Sequence, residues 1–108
     1  MSKMKANQTI DPAALRAKAG DVAGVLAALA NDRRLLILCK LVEVGEATVG
    51  TLAIEVGLSQ SALSQHLARM REEGIVAFRR EAQTLWYRIS DARIETLLST
   101  LHRLYCVD

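Results

Sequence analysis

Apolar residues recur at a helical interval along most of this chain and change to alternation over one short stretch. Leu15, Ala19, Val22, Leu26 and Leu29 predict a helix from Pro12 to about Ala30. Asp11 is placed to cap its free amides, and Pro12 is tolerated at the first helical position. A second helix begins at Asn31-Asp32, carries Leu35, Leu38, Cys39 and Val42 on one face, and ends at Gly45. Thr48 caps a short third helix over residues 49–56, and Gly57-Leu58-Ser59 makes a tight turn. Ser59 caps a fourth helix that runs to Glu73 and stops at Gly74. From Val76 the period falls to two, with Val76, Phe78, Leu85, Tyr87 and Ile89 marking two short strands around Glu81-Ala82-Gln83-Thr84. That connection lacks Asn-Gly or Gly-Gly, which predicts a looser loop than the tightest hairpins. Ser90 or Asp91 then caps a last helix to about Cys106, with Ile94, Leu97, Leu98, Leu101, Leu104 and Tyr105 as its apolar positions.

Four helices, a β-ribbon and a final helix make a mainly α chain with a small β-hairpin, the winged helix-turn-helix architecture. The short third helix, the glycine turn and the fourth helix are its helix-turn-helix. Ala53 and Gly57 are small, as expected where two helices approach closely. Residues 1–10 are polar and read as a flexible lead-in, and residues 11–108 read as a single domain. No apolar run approaches the roughly 20 residues needed to span a bilayer. The segment MSKMKANQTI has no hydrophobic region of the signal-peptide kind, so the expected compartment is a reducing cytoplasm, with no membrane association. A structural disulfide is unusual there, which leaves Cys39 and Cys106 as inert or responsive thiols.

The net charge of +2 is too small to argue for nucleic acid by itself. Its layout says more. Arg69, Arg71, Arg79, Arg80 and Arg88 lie close together in the chain, offset by Glu72, Glu73 and Glu81. In the fourth helix Leu63, Leu67 and Met70 face the core, which turns Gln60, Ser61, Ser64, Gln65 and Ala68 outward. An uncharged, hydrogen-bonding face at a helix start suits entry into a major groove. Gln pairs bidentately with adenine, and Ser bonds to several base edges or to phosphate. The expected DNA-binding residues are therefore Ser59, Gln60, Ser61, Ser64 and Gln65 for the bases and Arg69 and Arg71 for phosphates. Arg79, Arg80 and Gln83 are expected near the wing tip, within reach of the adjacent backbone or minor groove. A polar solvent face of an ordinary amphipathic helix is the competing account of SQSALSQHL. His66 falls near the buried face and reads as a packing residue.

Several stretches together resemble the ArsR/SmtB family of small winged-helix repressors. They are Asn31-Asp32-Arg33-Arg34-Leu35-Leu36-Ile37-Leu38, Val49-Gly50-Thr51-Leu52-Ala53, Leu58-Ser59-Gln60-Ser61-Ala62-Leu63-Ser64-Gln65-His66-Leu67, Arg69-Met70-Arg71-Glu72-Glu73-Gly74-Ile75-Val76 and Tyr87-Arg88-Ile89. The resemblance covers roughly residues 15–106 and implies a homodimer formed through the first and last helices, on a palindromic double-stranded DNA operator released by an inducer. Both helices do carry more apolar surface than one small core requires. The metal sites of the family are missing from the pattern. Its arsenic-type site is Cys-x-Cys in the third helix, where this chain has Thr51-Leu52-Ala53-Ile54-Glu55-Val56. Its zinc-type site is Asp-x-His then His-x-x-Glu on the last helix. Here Asp91-Ala92-Arg93 lacks the His, and Leu104 and Val107 stand at the later ligand positions. No metal site and no cofactor are therefore expected.

Cys39 in the second helix and Cys106 at the end of the last resemble a thiol-based, persulfide-sensing branch of that family. The resemblance implies that reactive sulfur species join the two sulfurs within one subunit, by a disulfide or a longer sulfur bridge, and that the joined form binds DNA more weakly. Read from the residues alone, Cys39 among Leu38, Leu41 and Val42 is equally a small buried hydrophobe, and Cys106 a surface thiol. His102, four residues before Cys106, either favours its thiolate or covers an interface. Peroxide sensing, a metal-responsive repressor using Cys39, Cys106 and His102, and a virulence-type anti-silencer remain as alternatives. An enzyme is not expected: there is no Cys-x-x-Cys, no Gly-x-Ser-x-Gly around Ser59, Ser61 or Ser64, and no convergence of carboxylates.

Overall fold

Each helix begins where a short polar side chain accepts from the first free amides. Asp11 accepts from the Ala13 and Ala14 N–H groups, Asn31 from Arg33 and Arg34, Thr48 from Thr51, Ser59 from Ala62 and Asp91 from Arg93. Caps of this kind stabilise a helix by about 1 kcal/mol each. They fix the elements of the computed structural model, which describes residues 10–106. The expected flexible lead-in over residues 1–10 therefore lies outside the described residues but for Ile10, as do Val107 and Asp108. The element order is α1 (Pro12–Leu29), α2 (Asp32–Val44), β1 (Ala47–Thr48), α3 (Val49–Val56), α4 (Gln60–Glu72), β2 (Val76–Glu81), β3 (Thr84–Ile89) and α5 (Ala92–Tyr105).

The chain divides into two compact units at Ala30. In the first, α1 buries Leu29 and leaves Leu15, Val22 and Leu26 about half exposed. In the second, α2 packs on α3 and α5, α3 packs on α4, and α4 packs on β2. Its fully enclosed side chains are Ile37, Leu38 and Leu41 of α2, Leu52 of α3, Leu63, Leu67 and Met70 of α4, Val76 of β2 and Leu98 of α5. The buried face of α2 is thus turned from the expected one. Ile37 and Leu41 are enclosed with Leu38, whereas Leu35, Cys39 and Val42 are half-buried. α2 packs against α3, α5 and β3, so its core line lies among these neighbours and not along the Leu35–Val42 stripe.

Gly57 and Gly74 hold the turns on either side of α4. Gly57 has φ 72° and open space around the position a Cβ would take, so its backbone conformation, not close helix approach, explains the glycine. Ala53 is buried beneath that turn, and its carbonyl accepts from the Leu58 N–H at 3.0 Å. At the other end Gly74, φ 78°, closes a Schellman motif: the Ile75 N–H donates to the Met70 carbonyl at 2.9 Å and the Gly74 N–H to Arg71 at 3.0 Å.

The sheet is antiparallel with strand order β1-β3-β2. β1, absent from the sequence expectation, pairs Ala47 with Tyr87 and Thr48 with Trp86. Two residues between helices are too few for periodicity to reveal. The hairpin is tighter than expected. Glu81 pairs with Thr84, which leaves a loop of Ala82 and Gln83 alone. Ala82 adopts φ 57° in place of the missing glycine. A positive φ at the first loop position alone is the pattern of a type II′ turn, whose hand matches the strand twist. An L-side chain there costs roughly 1–2 kcal/mol. Ala82→Gly removes most of that strain and adds glycine's larger folding entropy, so it should raise stability by about 0.5–1 kcal/mol. A higher urea midpoint with an unchanged slope is the expected result.

Candidate nucleic-acid interface and thiol pair

Leu63, Leu67 and Met70 are enclosed, and this sets the rotation of α4 about its axis. Ser61, Ser64, Gln65 and Ala68 follow one another along the opposite, exposed face, with Gln60 exposed at its start. The residues expected to read DNA therefore share one surface. Two of them also have local duties. The Ser59 hydroxyl oxygen accepts from the Ala62 N–H at 3.1 Å, and the Gln60 amide lies over Gly50 of α3, 3.7 Å from where a Cβ would stand. His66 is half-buried beside this face.

The arginines divide. Arg69 and Arg80 are exposed and free of any ion pair among the described residues. Arg71 lies with its guanidinium 4.9 Å above the Phe78 ring, which joins the last turn of α4 to the wing. Arg79 is not poised at the wing tip. Its Nε donates to Glu46 Oε2 at 2.9 Å and its Nη2 to Glu46 Oε1 at 3.1 Å, while its guanidinium stacks 5.6 Å from the Trp86 ring. It ties β2 to the residue that leads into β1. Glu46 lies far away in sequence, so spacing gave no sign of the pair. Gln83 and Arg80 remain exposed at and next to the loop.

Two further ties escaped the sequence reading. Arg34 Nη1 meets Glu73 Oε1 at 3.3 Å, linking α2 to the C-cap of α4. Lys40 Nζ meets Glu43 Oε1 at 3.2 Å and Glu55 Oε1 at 3.1 Å, linking α2 to α3.

Cys39 is half-buried and Cys106 is exposed, and both are free thiols. Burial, and after it the charge of the Cys106 thiolate, push the Cys39 thiol above its ordinary pKa. Cys39 also lines a cavity of ≈ 820 Å³ between α2, α3 and α5, into which His102 faces. His102 touches Cys106 through the backbone, its carbonyl accepting from the Cys106 N–H at 2.8 Å. Among the described residues, no three His, Cys, Asp or Glu side chains converge on a point that could hold a metal ion, and no helix is long and apolar enough to cross a membrane.

A capped helix with an uncharged outer face, held by a short helix and a glycine turn beside a two-stranded wing, is the geometry of a DNA-binding winged helix-turn-helix protein. Residues 31–77 match the family described as bacterial regulatory protein, arsR family. Over 82 residues the chain is 51% identical to the transcriptional activator HlyU of Vibrio cholerae serotype O1, covering 76% of this chain and 75% of that one. It is 43% identical over 94 residues to the HTH-type transcriptional regulator YgaV of Escherichia coli, covering 87% and 95%. The crystal structure of the transcriptional repressor BigR from Xylella fastidiosa superposes with a TM-score of 0.84 at 35% identity, over 92% of this chain and 100% of that one. The chain belongs to the ArsR family of transcriptional regulators and is not an enzyme.

If Arg80 reaches the DNA backbone as its position beside the wing loop leads one to expect, Arg80→Ala should lower the slope of log affinity against log salt by about one for each subunit bound, and no ion pair among the described residues is disturbed by the change. Titrating operator-length duplex at several salt concentrations checks this. Glu46 gives a pH signature. Its hydrogen bonds with Arg79 hold the carboxyl below its ordinary range. The pair's contribution to stability is therefore complete above that ordinary range and is lost as the pH falls through the depressed value. The urea midpoints of wild type and Glu46→Gln should differ at neutral pH and converge on acidification.

Proposed function

We propose that the protein is a homodimeric, cytoplasmic repressor of the thiol-sensing branch of its family. On this reading the Gln60, Ser61, Ser64 and Gln65 faces of two subunits enter successive major grooves of a palindromic operator, with Ser59, Arg69, Arg71, Arg80 and Gln83 on flanking groups. Reactive sulfur species release it by linking Cys39 to Cys106. The observation that carries this is the placement of two free thiols on helices that pack together, Cys39 half-buried on α2 and Cys106 exposed at the C-terminal end of α5.

The chemistry balances. One cysteine thiolate attacks the sulfur–sulfur bond of a persulfide R–S–SH and takes up its terminal sulfur, and R–S⁻ departs. The second cysteine displaces that sulfur as hydrogen sulfide. Two thiols are oxidised to a disulfide, and the persulfide is reduced to R–SH and H2S. With a second equivalent of R–S–SH both cysteines take up a sulfur, and attack of one persulfide on the other with loss of hydrogen sulfide leaves a bridge that retains one extra sulfur. Linking pins the end of α5 to α2.

Support for a dimer comes from apolar side chains that one subunit leaves in water. Leu15, Val22 and Leu26 of α1 and Leu104 and Tyr105 of α5 are all exposed. If α5 is part of the dimer contact, moving it changes the spacing of the two reading helices. A release of tenfold to a hundredfold needs only about 1.4–2.8 kcal/mol of coupling. Whether release silences or activates a gene depends on the promoter, and relatives carry both names, activator and repressor.

Reduced protein should bind a palindrome as two subunits. Persulfide treatment should weaken binding by about tenfold to a hundredfold, with an intramolecular link seen by mass spectrometry. Cys39→Ser and Cys106→Ser should each stay bound under the same dose. Release of Cys39→Ser protein as readily as wild type overturns the reading. Equal release by peroxide at equal dose replaces reactive sulfur by a general oxidant.

A further inference from the structure

A thiol that senses hydrogen peroxide or an inorganic persulfide needs no cavity, because those reagents are only a few atoms across. Cys39 nevertheless lies in the wall of one of ≈ 820 Å³, within the roughly 300–1,000 Å³ range of small-molecule sites. Leu36, Val42, Val56 and Leu98 supply apolar wall. Lys40 is neutralised by Glu43 and Glu55, which leaves one carboxylate in excess among these three lining groups. Such a surface favours an uncharged guest and disfavours an anionic one. Cys39 is also kept largely protonated by burial. Selective reaction at this thiol must then come from holding the reagent beside it, because the thiolate itself is scarce.

We infer that this cavity docks the sulfur donor, and that the donor is a neutral, largely apolar organic molecule carrying a sulfur–sulfur bond. The inference rests on the thiol-switch reading above and names the class of reagent it admits. With R–S–S–R′ docked, the Cys39 thiolate attacks the nearer sulfur to form Cys39–S–S–R. R′–S⁻ leaves and takes up the proton that Cys39 gave. The Cys106 thiolate then attacks the Cys39 sulfur, and R–S⁻ leaves with the second proton. Two thiols are oxidised by two electrons, and the donor is reduced to two thiols, or to one thiol and H2S when R′ is hydrogen. The guest would lie beside the Lys40–Glu55 pair, which joins α2 to the first helix of the helix-turn-helix.

The test compares two disulfide probes on single-cysteine full-length proteins: neutral 4,4′-dithiodipyridine and the dianionic 5,5′-dithiobis(2-nitrobenzoate). For each protein the ratio of the two rates is taken, so that the thiol's own acidity largely cancels. In Cys106→Ser, where Cys39 reacts, the neutral-to-anionic ratio should exceed that of Cys39→Ser by about tenfold or more. The neutral rate should also saturate with probe concentration. Ser99 is an exposed residue of the cavity wall. Ser99→Phe should slow the neutral probe at Cys39 and leave Cys106 unchanged, with the urea midpoint followed through Trp86 reporting intact folding. Equal ratios with non-saturating rates overturn the inference. So does a Cys39 that neither probe reaches, as when a second subunit fills the cavity. Operator affinity of the fully modified wild type is measured separately. If it is unchanged, the thiol switch fails, whatever the probe rates show about docking.

Discussion

The rotation of α4 is the constraint from which the rest of its exposed polar surface follows. Leu63, Leu67 and Met70 are fully enclosed, and each stabilises that orientation by about 1.5–3 kcal/mol relative to exposure. Turning the helix by one residue would rotate it by about 100° and bring polar groups into the core. No single hydrogen bond on the outer face has comparable weight. Ser61, Ser64, Gln65 and Ala68 are therefore presented together because of what lies on the other side of the helix. The Ser59 cap and the Gly74 Schellman motif then set where the helix begins and where the chain turns into the wing.

α2 connects this surface with the thiols. Ile37, Leu38 and Leu41 place it in the middle of the core, Arg34 reaches the end of α4, and Lys40 reaches α3. Cys39 sits between an enclosed leucine and that lysine. Exposed ion pairs contribute about 0–1 kcal/mol each, so these ties transmit position more than they add stability. Displacement of α2 or α5 next to Cys39 would move groups that contact both helices of the helix-turn-helix. The wing is held differently. Glu46, Arg79 and Trp86 brace one face of the sheet while Phe78 and Tyr87 pack together at 5.4 Å, and Arg71 over Phe78 binds it to α4.

Much of the architecture was legible in the sequence because its signals are local. Asp11, Thr48 and Ser59 cap their helices as expected, the other two caps fall to Asn31 of the Asn31-Asp32 pair and to Asp91 of the Ser90-Asp91 pair, and Gly45, Gly57 and Gly74 end α2, α3 and α4. The exposed face of α4 was legible for the same reason, since one amphipathic period fixes both of its sides. The hairpin was misjudged because Ala82 accepts a backbone conformation that propensity assigns to glycine. That position is decided by strand pairing, from Val76 with Ile89 to Glu81 with Thr84, and not by the residue's own preference.

The sequence by itself determined the number, type and order of the helices and the hairpin, the polar outer face of α4 and the presence of two thiols. Capping and periodicity act within a few residues, so the chain carries them in plain order. Only the tertiary structure decided which α2 residues are enclosed, that Arg79 belongs to Glu46, that β1 completes the sheet and that Cys39 opens onto a cavity between α2, α3 and α5. Those outcomes depend on groups far apart in the chain, brought together when apolar surface leaves water. No local pattern records which distant partner each will meet.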